Sequence, residues 1–253
     1  MKKLITREFF LKTFYFFLLI SFFISCEKKE LTASEIVSKS MEAHGGYANW
    51  KQIDTLSFIK KTILFSKEGL KEKETKQHQS FYIGKSLNGK LNSLGTEKTS
   101  FTLTDGVYSK SLGDSLVALN EKELLFVKDA FKSAYYVVSQ PFNIKESNAL
   151  LGNVKDTVLG GKKMYSVTVL YNGDTNKSDQ WTYFFDAQTF LIIACKVYHS
   201  PTISYIRNTK FDLETPFVFN AERESTLLKT DRNKDYLRAS YFYSDFRIVF
   251  KKK

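Results

Sequence analysis

The pattern that most constrains the fold is a succession of alternating strands in the second half of the chain. Large apolar and aromatic side chains occupy every second position of residues 164–171, and the same alternation returns in residues 181–185. A period of two residues is typical of a β-strand, because successive side chains point to opposite faces. Further strands fit residues 203–213, 217–228 and 236–250. Since strand follows strand without a crossover helix, the sequence predicts an antiparallel sheet.

Two segments with a helical period interrupt the strands. Thr32 and Glu35 have the spacing of a capping box, and the apolar stripe that follows them ends at a pair of glycines. A second helix is predicted over residues 121–139, with Asn120 as its cap and Pro141 just beyond its end. Two helices among many strands indicate a mainly β fold of the α+β class.

The first half of the sheet is predicted from shorter patterns. In residues 56–65 the apolar positions change parity, which indicates a bulge or a strong twist near Lys60 and Lys61. Residues 69–84 are mostly charged and suit an exposed strand. Residues 98–119 fit two or three short strands that break at two glycine turns.

Several central strands carry apolar residues at both parities. The segment Phe190–Tyr198 predicts two apolar faces, one formed by Leu191, Ile193, Cys195 and Val197 and the other by Phe190, Ile192 and Ala194. A sheet with one face in water alternates more strictly, so something must cover the second face. Two helices are few for that purpose. This leaves a bound apolar ligand and a fully packed core as open alternatives.

The first 30 residues have the parts of an export signal. Basic residues precede an uncharged apolar stretch of 13 residues, Thr13–Ser25, which meets Cys26. A bilayer-spanning helix needs about 20 apolar residues, so this stretch has the length of a signal peptide instead. The tetrapeptide Phe23–Cys26 resembles the cleavage site of bacterial lipoproteins, with Phe23 in place of the usual leucine. We therefore predict a lipoprotein signal peptide over residues 1–25 and an acylated Cys26 in a tether of residues 26–30.

Acylation of Cys26 would fix the location of the protein. Each methylene that an acyl chain buries contributes about 0.8 kcal/mol, so two or three chains hold a domain at a membrane durably. Glu27 is not the aspartate that retains some lipoproteins in the inner membrane, and no acidic run follows it. The prediction is the outer membrane, with the protein facing the periplasm.

The charge of the chain bears on its partners. The formal net charge is +11, and residues 1–25, with four basic residues against Glu8, account for a net +3 of it. A basic exported protein suits anionic headgroups or acidic polysaccharide, although a solvated surface rich in lysine is the simpler interpretation. Export argues against nucleic acid as a partner.

The sequence gives no positive sign of catalysis. His44, His78 and His199 are widely separated and lack the spacing of a metal site. The Gly160-Gly161 pair suits a hairpin turn better than a phosphate loop. Cys195 lies in an apolar run and is predicted to be a small buried residue rather than a reactive thiol. The prediction is a non-enzymatic protein without a metal or a cofactor.

The order of these parts resembles the outer-membrane lipoprotein-sorting superfamily of bacteria, to which LolA and LolB belong. The resemblance lies in the lipoprotein signal, the helix Ile36–Gly46, Trp50 and the strand after it, the aromatic strand 181–185 and the turn into Phe190–Tyr198. It implies a strongly curved antiparallel half-barrel, with two or more helices covering the concave face. In the relatives, the cavity of the half-barrel holds acyl chains.

By this resemblance, residues 31–250 form a single domain that binds a lipid or another apolar ligand on its concave face. The leading prediction is a membrane-anchored, non-enzymatic lipid-binding protein. The alternative is a structural or interaction lipoprotein of the envelope with a fully packed core. Which strand parity faces inward, the protein partner and the oligomeric state stay open. The candidate cavity residues are Tyr165, Val167, Trp181, Tyr183, Leu191 and Ile193.

Overall fold

One antiparallel sheet of thirteen strands dominates the described residues. The structure is a computed structural model, and it describes residues 30–84, 86–96, 98–147, 149–171, 179–199, 202–228 and 235–252. The strands are β1 (Ile53–Phe65), β2 (Lys71–Ile83), β3 (Leu87–Ser93), β4 (Thr99–Thr104), β5 (Val107–Leu112), β6 (Ser115–Val117), β7 (Leu150–Leu159), β8 (Lys162–Leu170), β9 (Gln180–Asp186), β10 (Ile192–His199), β11 (Thr202–Asp212), β12 (Phe219–Leu228) and β13 (Tyr236–Phe250).

The order of the strands leaves the sheet open. It runs β6-β5-β4-β3-β2-β1-β13-β12-β11-β10-β9-β8-β7, so β1 and the C-terminal β13 pair at the middle while β6 and β7 form the two edges. The sheet is a curved half-barrel, and the predicted mainly β class is confirmed. Strands β3 and β7 have no counterpart in the prediction from the sequence.

Four helices accompany the sheet in the described residues: α1 (Ala33–Ala43), α2 (Tyr47–Trp50), α3 (Glu121–Val138) and α4 (Phe142–Glu146). Both predicted helices, α1 and α3, are confirmed. Each begins with the predicted capping box: the Glu35 amide donates to Thr32 Oγ1 at 3.2 Å, and the Glu123 amide donates to Asn120 Oδ1 at 2.9 Å. The short helices α2 and α4 were not predicted.

Helix α1 ends where the chain needs a glycine. Gly45 has a φ of +117°, a conformation that side chains with a Cβ rarely adopt. A Cβ there would also lie 2.6 Å from the ring of Phe217 and 2.7 Å from the carbonyl oxygen of Pro216. The glycine therefore lets the end of α1 approach the segment before β12, where the Val218 amide donates to the His44 carbonyl at 3.2 Å.

Helix α3 crosses the concave face from one half of the sheet to the other. Its Phe131 ring lies 5.8 Å from Tyr108 on β5, and its Tyr136 ring lies 4.7 Å from Trp181 on β9. The buried stripe of α3 consists of Val127, Phe131, Ala134 and Val138. Since β5 and β9 stand nine positions apart in the sheet order, the helix bridges most of the half-barrel.

Aromatic rings fill the concave face beside α3. Trp50 is fully buried and stacks on Phe142 of α4 with 4.6 Å between the ring centroids. Phe219 stacks on Phe246 at 4.5 Å, and Phe58 lies 5.5 Å from Phe246. Such pairs bury large areas and add about 0.5–1.5 kcal/mol each beyond the burial itself. They account for the high aromatic content of 15%.

Near Lys60 and Lys61, where the sequence indicates a bulge or a strong twist, β1 contains no bulge. Pairing of β1 with β2 continues without interruption from Thr55 to Leu64. The irregularity lies on the opposite strand, where β13 shifts register around Asp245, which has a φ of 56°. As a result, Lys60 keeps the parity of Phe58 and lies on the concave face.

Lysine side chains cover apolar residues of the convex face. The Lys61 ammonium lies 4.6 Å from the centroid of the Phe242 ring, and the Lys196 ammonium lies 6.0 Å from that of Phe184. Their methylene stems shield the rings while the charges stay near water. The second apolar face is therefore covered in part by lysines, a possibility that was not among the alternatives drawn from the sequence.

Some predictions concern residues outside the described ranges. These are the signal peptide over residues 1–25, the acylated Cys26 and the expected turn at residues 172–174. None of the helices in the described part of the chain combines the length and the apolar character needed to cross a membrane. Residues Thr32–Lys253 form one compact unit.

Burial of His44 makes stability depend on pH. Its Nδ1–H donates to the Ser40 carbonyl at 2.8 Å, and burial lowers its pKa from 6.5 to about 4. Between these values the unfolded chain binds a proton more readily than the folded protein, so acid favours unfolding. We expect this histidine to lower the free energy of unfolding by about 3 kcal/mol between pH 7.5 and pH 3.5. Denaturant unfolding at several pH values measures the loss.

The control for this prediction is a second histidine. His44→Gln removes the titrating group and should flatten this part of the pH dependence, whereas His78→Gln leaves His44 in place and should preserve it. An equally steep loss of stability in His44→Gln would contradict the assignment.

Candidate functional site

Four of the six candidate cavity residues share the concave face. Tyr165, Val167, Tyr183 and Trp181 lie on one face, because Tyr165 pairs with Phe185, and Val167 pairs with Tyr183, two positions from Trp181. Val167 and Tyr183 are fully buried, whereas Tyr165 and Trp181 are half-buried. The sequence left open which parity of β8 and β9 faces inward, and in the structure these four residues lie on the face that the helices cover.

The two candidates near β10 are displaced by a bulge. Ile192 pairs with Phe185 and Ala194 with Phe184, so Ile193 has no partner on β9. Ile192 therefore shares the face of Cys195, in contrast to the strict alternation assumed from the sequence. Leu191 and Ile193 are half-buried. The structure thus places four candidates on one face. Leu191 and Ile193 do not follow the alternation that the sequence predicted for this segment.

A chain of hydroxyl groups joins helix α3 to these strands. The hydroxyls of Tyr136 and Tyr171 lie 3.1 Å apart, and those of Tyr171 and Tyr183 lie 3.0 Å apart. Gln140 Nε2 donates to the Tyr183 hydroxyl at 3.3 Å, while Gln140 Oε1 is buried without a partner. Burial raises the pKa of Tyr183 well above its usual value, so this hydroxyl stays neutral. The interior of the half-barrel is therefore polar at this point.

A pocket of about 460 Å³ opens on the concave side between α2, α4 and the β2–β3 turn. This volume lies within the range of about 300–1,000 Å³ that is usual for small-molecule sites. It is lined by Tyr47, Lys51, Ile83, Gly84, Leu87, Tyr135, Lys145 and Glu146. None of the six candidate residues lines it. A second depression, of about 420 Å³, lies on the other face of the sheet and includes Tyr82 and Lys90.

The pocket has one apolar wall and one charged wall. Ile83, Leu87 and the ring of Tyr135 form the apolar wall, and Tyr135 packs 5.5 Å from Phe81 below it. On the charged wall, Glu146 Oε1 accepts from Trp50 Nε1 at 3.2 Å and lies 3.8 Å from Lys51 Nζ. Burial raises the pKa of Glu146 despite these two partners. Such a pocket suits a molecule with an apolar part and a polar part.

The site lacks the groups that catalysis by a metal or a thiol would require. In the described ranges, no three histidine, cysteine or acidic residues are placed to hold a metal ion. Cys195 is buried, as predicted, and burial raises the pKa of its thiol to about 11. A protonated thiol is a poor nucleophile.

The sequence did not single out any residue of this pocket. Tyr47 and Lys51 come from the short helix α2 and its end, and Leu87 comes from a strand that alternation did not detect. One signal was present in the sequence, because Trp50 is part of the resemblance to the lipoprotein-sorting superfamily. Its indole donates to Glu146, which lines the pocket. Only the fold reveals that α2 and α4 meet there.

Solved structures with the same architecture are LolA-like. A LolA superfamily protein from Nitrosomonas europaea superposes with a TM-score of 0.57 at 9% sequence identity, covering 88% of this chain and 96% of that one. An outer membrane lipoprotein-sorting domain from Vibrio parahaemolyticus gives a TM-score of 0.52 at 11% identity, with 85% and 91% coverage. A DUF1329 family protein from Desulfovibrio piger gives 0.52 at 8% identity, with 85% and 92% coverage.

The comparison by sequence gives no relatives. No family model matches the chain, and no curated protein matches it either. The fold is LolA-like, as the resemblance predicted.

Proposed function

We propose that this protein is a membrane-anchored lipoprotein that binds a lipid or another apolar ligand on the concave face of its half-barrel, without catalysis. The observation that carries the proposal is the pocket of about 460 Å³ between α2, α4 and the β2–β3 turn. Its apolar wall of Ile83, Leu87 and Tyr135 can contact an acyl chain, and its charged wall can face a polar group. The LolA-like fold supports the choice of this face.

The six candidate residues remain part of the proposal, and the four on the concave face form the floor beneath α3. Trp181 contacts Tyr136 of that helix at 4.7 Å, and Tyr183 is hydrogen-bonded to Gln140 just after it. A ligand that enters beside Tyr135 reaches Trp181 and Tyr183 only if α3 moves. The location proposed with this function is the outer membrane, facing the periplasm, with the acyl chains of Cys26 as the anchor.

A second candidate function follows from the packing. Val167, Tyr183 and Phe185 have no exposed surface, so side chains alone fill the concave face near β8 and β9. This observation favours a structural or interaction lipoprotein of the envelope. Native mass spectrometry of gently purified protein separates the two functions, because a lipid carrier should retain a lipid while an interaction protein should carry none and should crosslink to a defined partner in cells.

Leu87→Glu tests the pocket. A carboxylate on the apolar wall would lose hydration beside a bound acyl chain, so we expect uptake of a fluorescent fatty acid to weaken by roughly tenfold or more. The matched control is Leu94→Glu, because Leu94 is 47% exposed and lies outside the pocket. Fluorescence titration of both variants measures the effect, and circular dichroism checks that each one is folded.

Two outcomes would count against the proposal. Equal affinities for the two variants would show that the fatty acid does not enter this pocket. No uptake by the wild-type protein, together with no co-purifying lipid, would remove ligand binding altogether.

A further inference from the structure

Two basic side chains lie close together on the concave face. Lys60 on β1 pairs with Tyr243 on β13, and Arg223 on β12 pairs with Tyr241 on the same strand. Phe58 and Lys60 have the same parity on β1, and Tyr241 and Tyr243 have the same parity on β13. The two cations therefore flank β13 on the side that faces the interior. Arg223 is only 3% exposed, and Lys60 is half-buried.

Neither cation has an acidic partner among the described residues. Arg223 Nε donates to Asn208 Oδ1 at 2.9 Å, and the guanidinium lies near the Tyr243 hydroxyl and the Cys195 thiol. The Lys60 ammonium lies 5.3 Å and 5.9 Å from the centroids of the Tyr241 and Tyr243 rings. Among the ion pairs of the described residues, none includes Lys60 or Arg223.

This arrangement is electrostatically costly as it stands. Burial lowers the pKa of Lys60. The nearby Tyr241 raises this pKa, whereas the positive charge of Arg223 lowers it further. Burial raises the pKa of Tyr241 and of Tyr243, so both remain neutral hydroxyls and cannot serve as counter-ions. Two desolvated like charges without an anion are unfavourable, and a bound anion would relieve the repulsion.

An unsatisfied acceptor lies beside the two cations. Gln79 pairs with Phe58, so it is a diagonal neighbour of Lys60 on the same face, and it is 2% exposed. Its Nε2 donates to Gln77 Oε1 at 2.8 Å, whereas its Oε1 is buried without a partner. A buried acceptor of this kind can take a hydrogen bond from a hydroxyl or from a protonated acid on a ligand.

We propose that Lys60 and Arg223 bind the carboxylate or phosphate headgroup of an anionic amphiphile, and that Gln79 accepts a hydrogen bond from the P–OH group when the headgroup is a singly protonated phosphate. The inference rests on the proposed function for the apolar chain of the ligand, whereas the headgroup is inferred from these side chains. Arginine and lysine together offer charge-assisted hydrogen bonds to such an anion. These are worth more in the desolvated interior than at the surface.

The test compares matched probes on the full chain held in nanodiscs of zwitterionic lipid. Octyl phosphate and octanoate carry the anion on an apolar chain, octanol lacks the charge, and inorganic phosphate lacks the chain. Isothermal titration should show that the two anionic amphiphiles bind at least about tenfold more tightly than octanol, the factor expected of a charge-assisted hydrogen bond. Empty nanodiscs correct for partition into the lipid.

Variants then assign the preference to these side chains. Lys60→Met and Arg223→Met should remove the preference for octyl phosphate over octanol. The matched controls Lys61→Met and Arg207→Met should keep it, because Lys61 lies on the convex face over Phe242 and Arg207 is exposed beside Glu224. If Arg223→Met does not fold, Lys60→Met decides alone, since Lys60 is only half-buried.

The outcomes separate this inference from the proposed function. Equal binding of octanol and octyl phosphate would overturn the anion site while leaving an apolar ligand in place. Binding of inorganic phosphate as tightly as octyl phosphate would overturn the amphiphile as the ligand. Failure of every probe to bind would overturn the proposed function as well.

Discussion

Replacing Trp50 with alanine is expected to lower the free energy of unfolding by about 3–5 kcal/mol, the usual cost of removing a large buried aromatic side chain. Trp50 is fully buried, stacks on Phe142 at 4.6 Å and meets the edge of Phe217 at 5.9 Å. Its indole also donates to Glu146. The change would leave a cavity between α2, α4 and the segment before β12, and it would leave that carboxylate without a hydrogen bond.

Two further variants make this test specific. Trp50→Phe keeps a ring against Phe142 but removes the donor, so we expect a smaller loss of about 1–3 kcal/mol. Tyr82→Ala removes an aromatic ring that is 53% exposed and should change stability by less than about 1 kcal/mol. Denaturant unfolding measures all three. A loss below about 1 kcal/mol in Trp50→Ala would mean that the ring contributes little to the core.

Cys26→Ala should abolish acylation completely. In its native host, the wild-type chain is expected to lose residues 1–25 and to gain the mass of its acyl chains on Cys26. The variant has no thiol at position 26, so it should keep the leader and carry no lipid there. The effect on membrane binding is large because a single acyl chain gives only marginal attachment, whereas two or three give a durable one. Intact mass and incorporation of labelled palmitate measure it.

The second cysteine provides the control for acylation. Cys195 is buried in β10, and Cys195→Ala leaves the N-terminal segment unchanged. This variant should be acylated like the wild type. An intact leader and an unmodified Cys26 thiol on the wild-type protein would refute the anchor and the location that depends on it.

The helices show what the sequence can predict well. The caps at Thr32 and Asn120 are local, because each depends on residues within one turn, and both form as expected. The short helices α2 and α4 have no such signal. Their place is set by Trp50 and Phe142 stacking on each other across 92 positions of sequence, a contact that no local pattern contains.

The strands show where sequence reasoning fails. Alternation groups the residues of β8 and β9 by face as the structure has them, but one unpaired residue at Ile193 shifts the grouping at the start of β10. In β1 a bulge or a strong twist was expected near Lys60 and Lys61, and the pairing with β2 contains no bulge there. The position of a bulge depends on how two strands pair, here β1 with β13 around Asp245. The sequence of one strand alone therefore indicates it poorly.

The interior cations were missed for a related reason. A lysine or an arginine in a strand is normally placed on the solvent side, because burial of an unpaired charge is costly. Lys60 and Arg223 break that rule together, on two strands that lie 163 positions apart in sequence and flank β13 in the sheet. Departures from the usual pattern of this kind are common at functional sites, and they become visible only when the sheet is assembled.

The lysines over the convex face have a practical consequence. Because single side chains cover Phe242 and Phe184 there, the solubility of this face depends on the protonation and the chemical integrity of individual amines. Reagents that acylate lysine, which are often used to tether or label proteins, would remove the charges that keep this face hydrated over the two rings. Protein treated in that way should self-associate. Protein immobilised through its amines would expose a convex face that differs from the one in the cell.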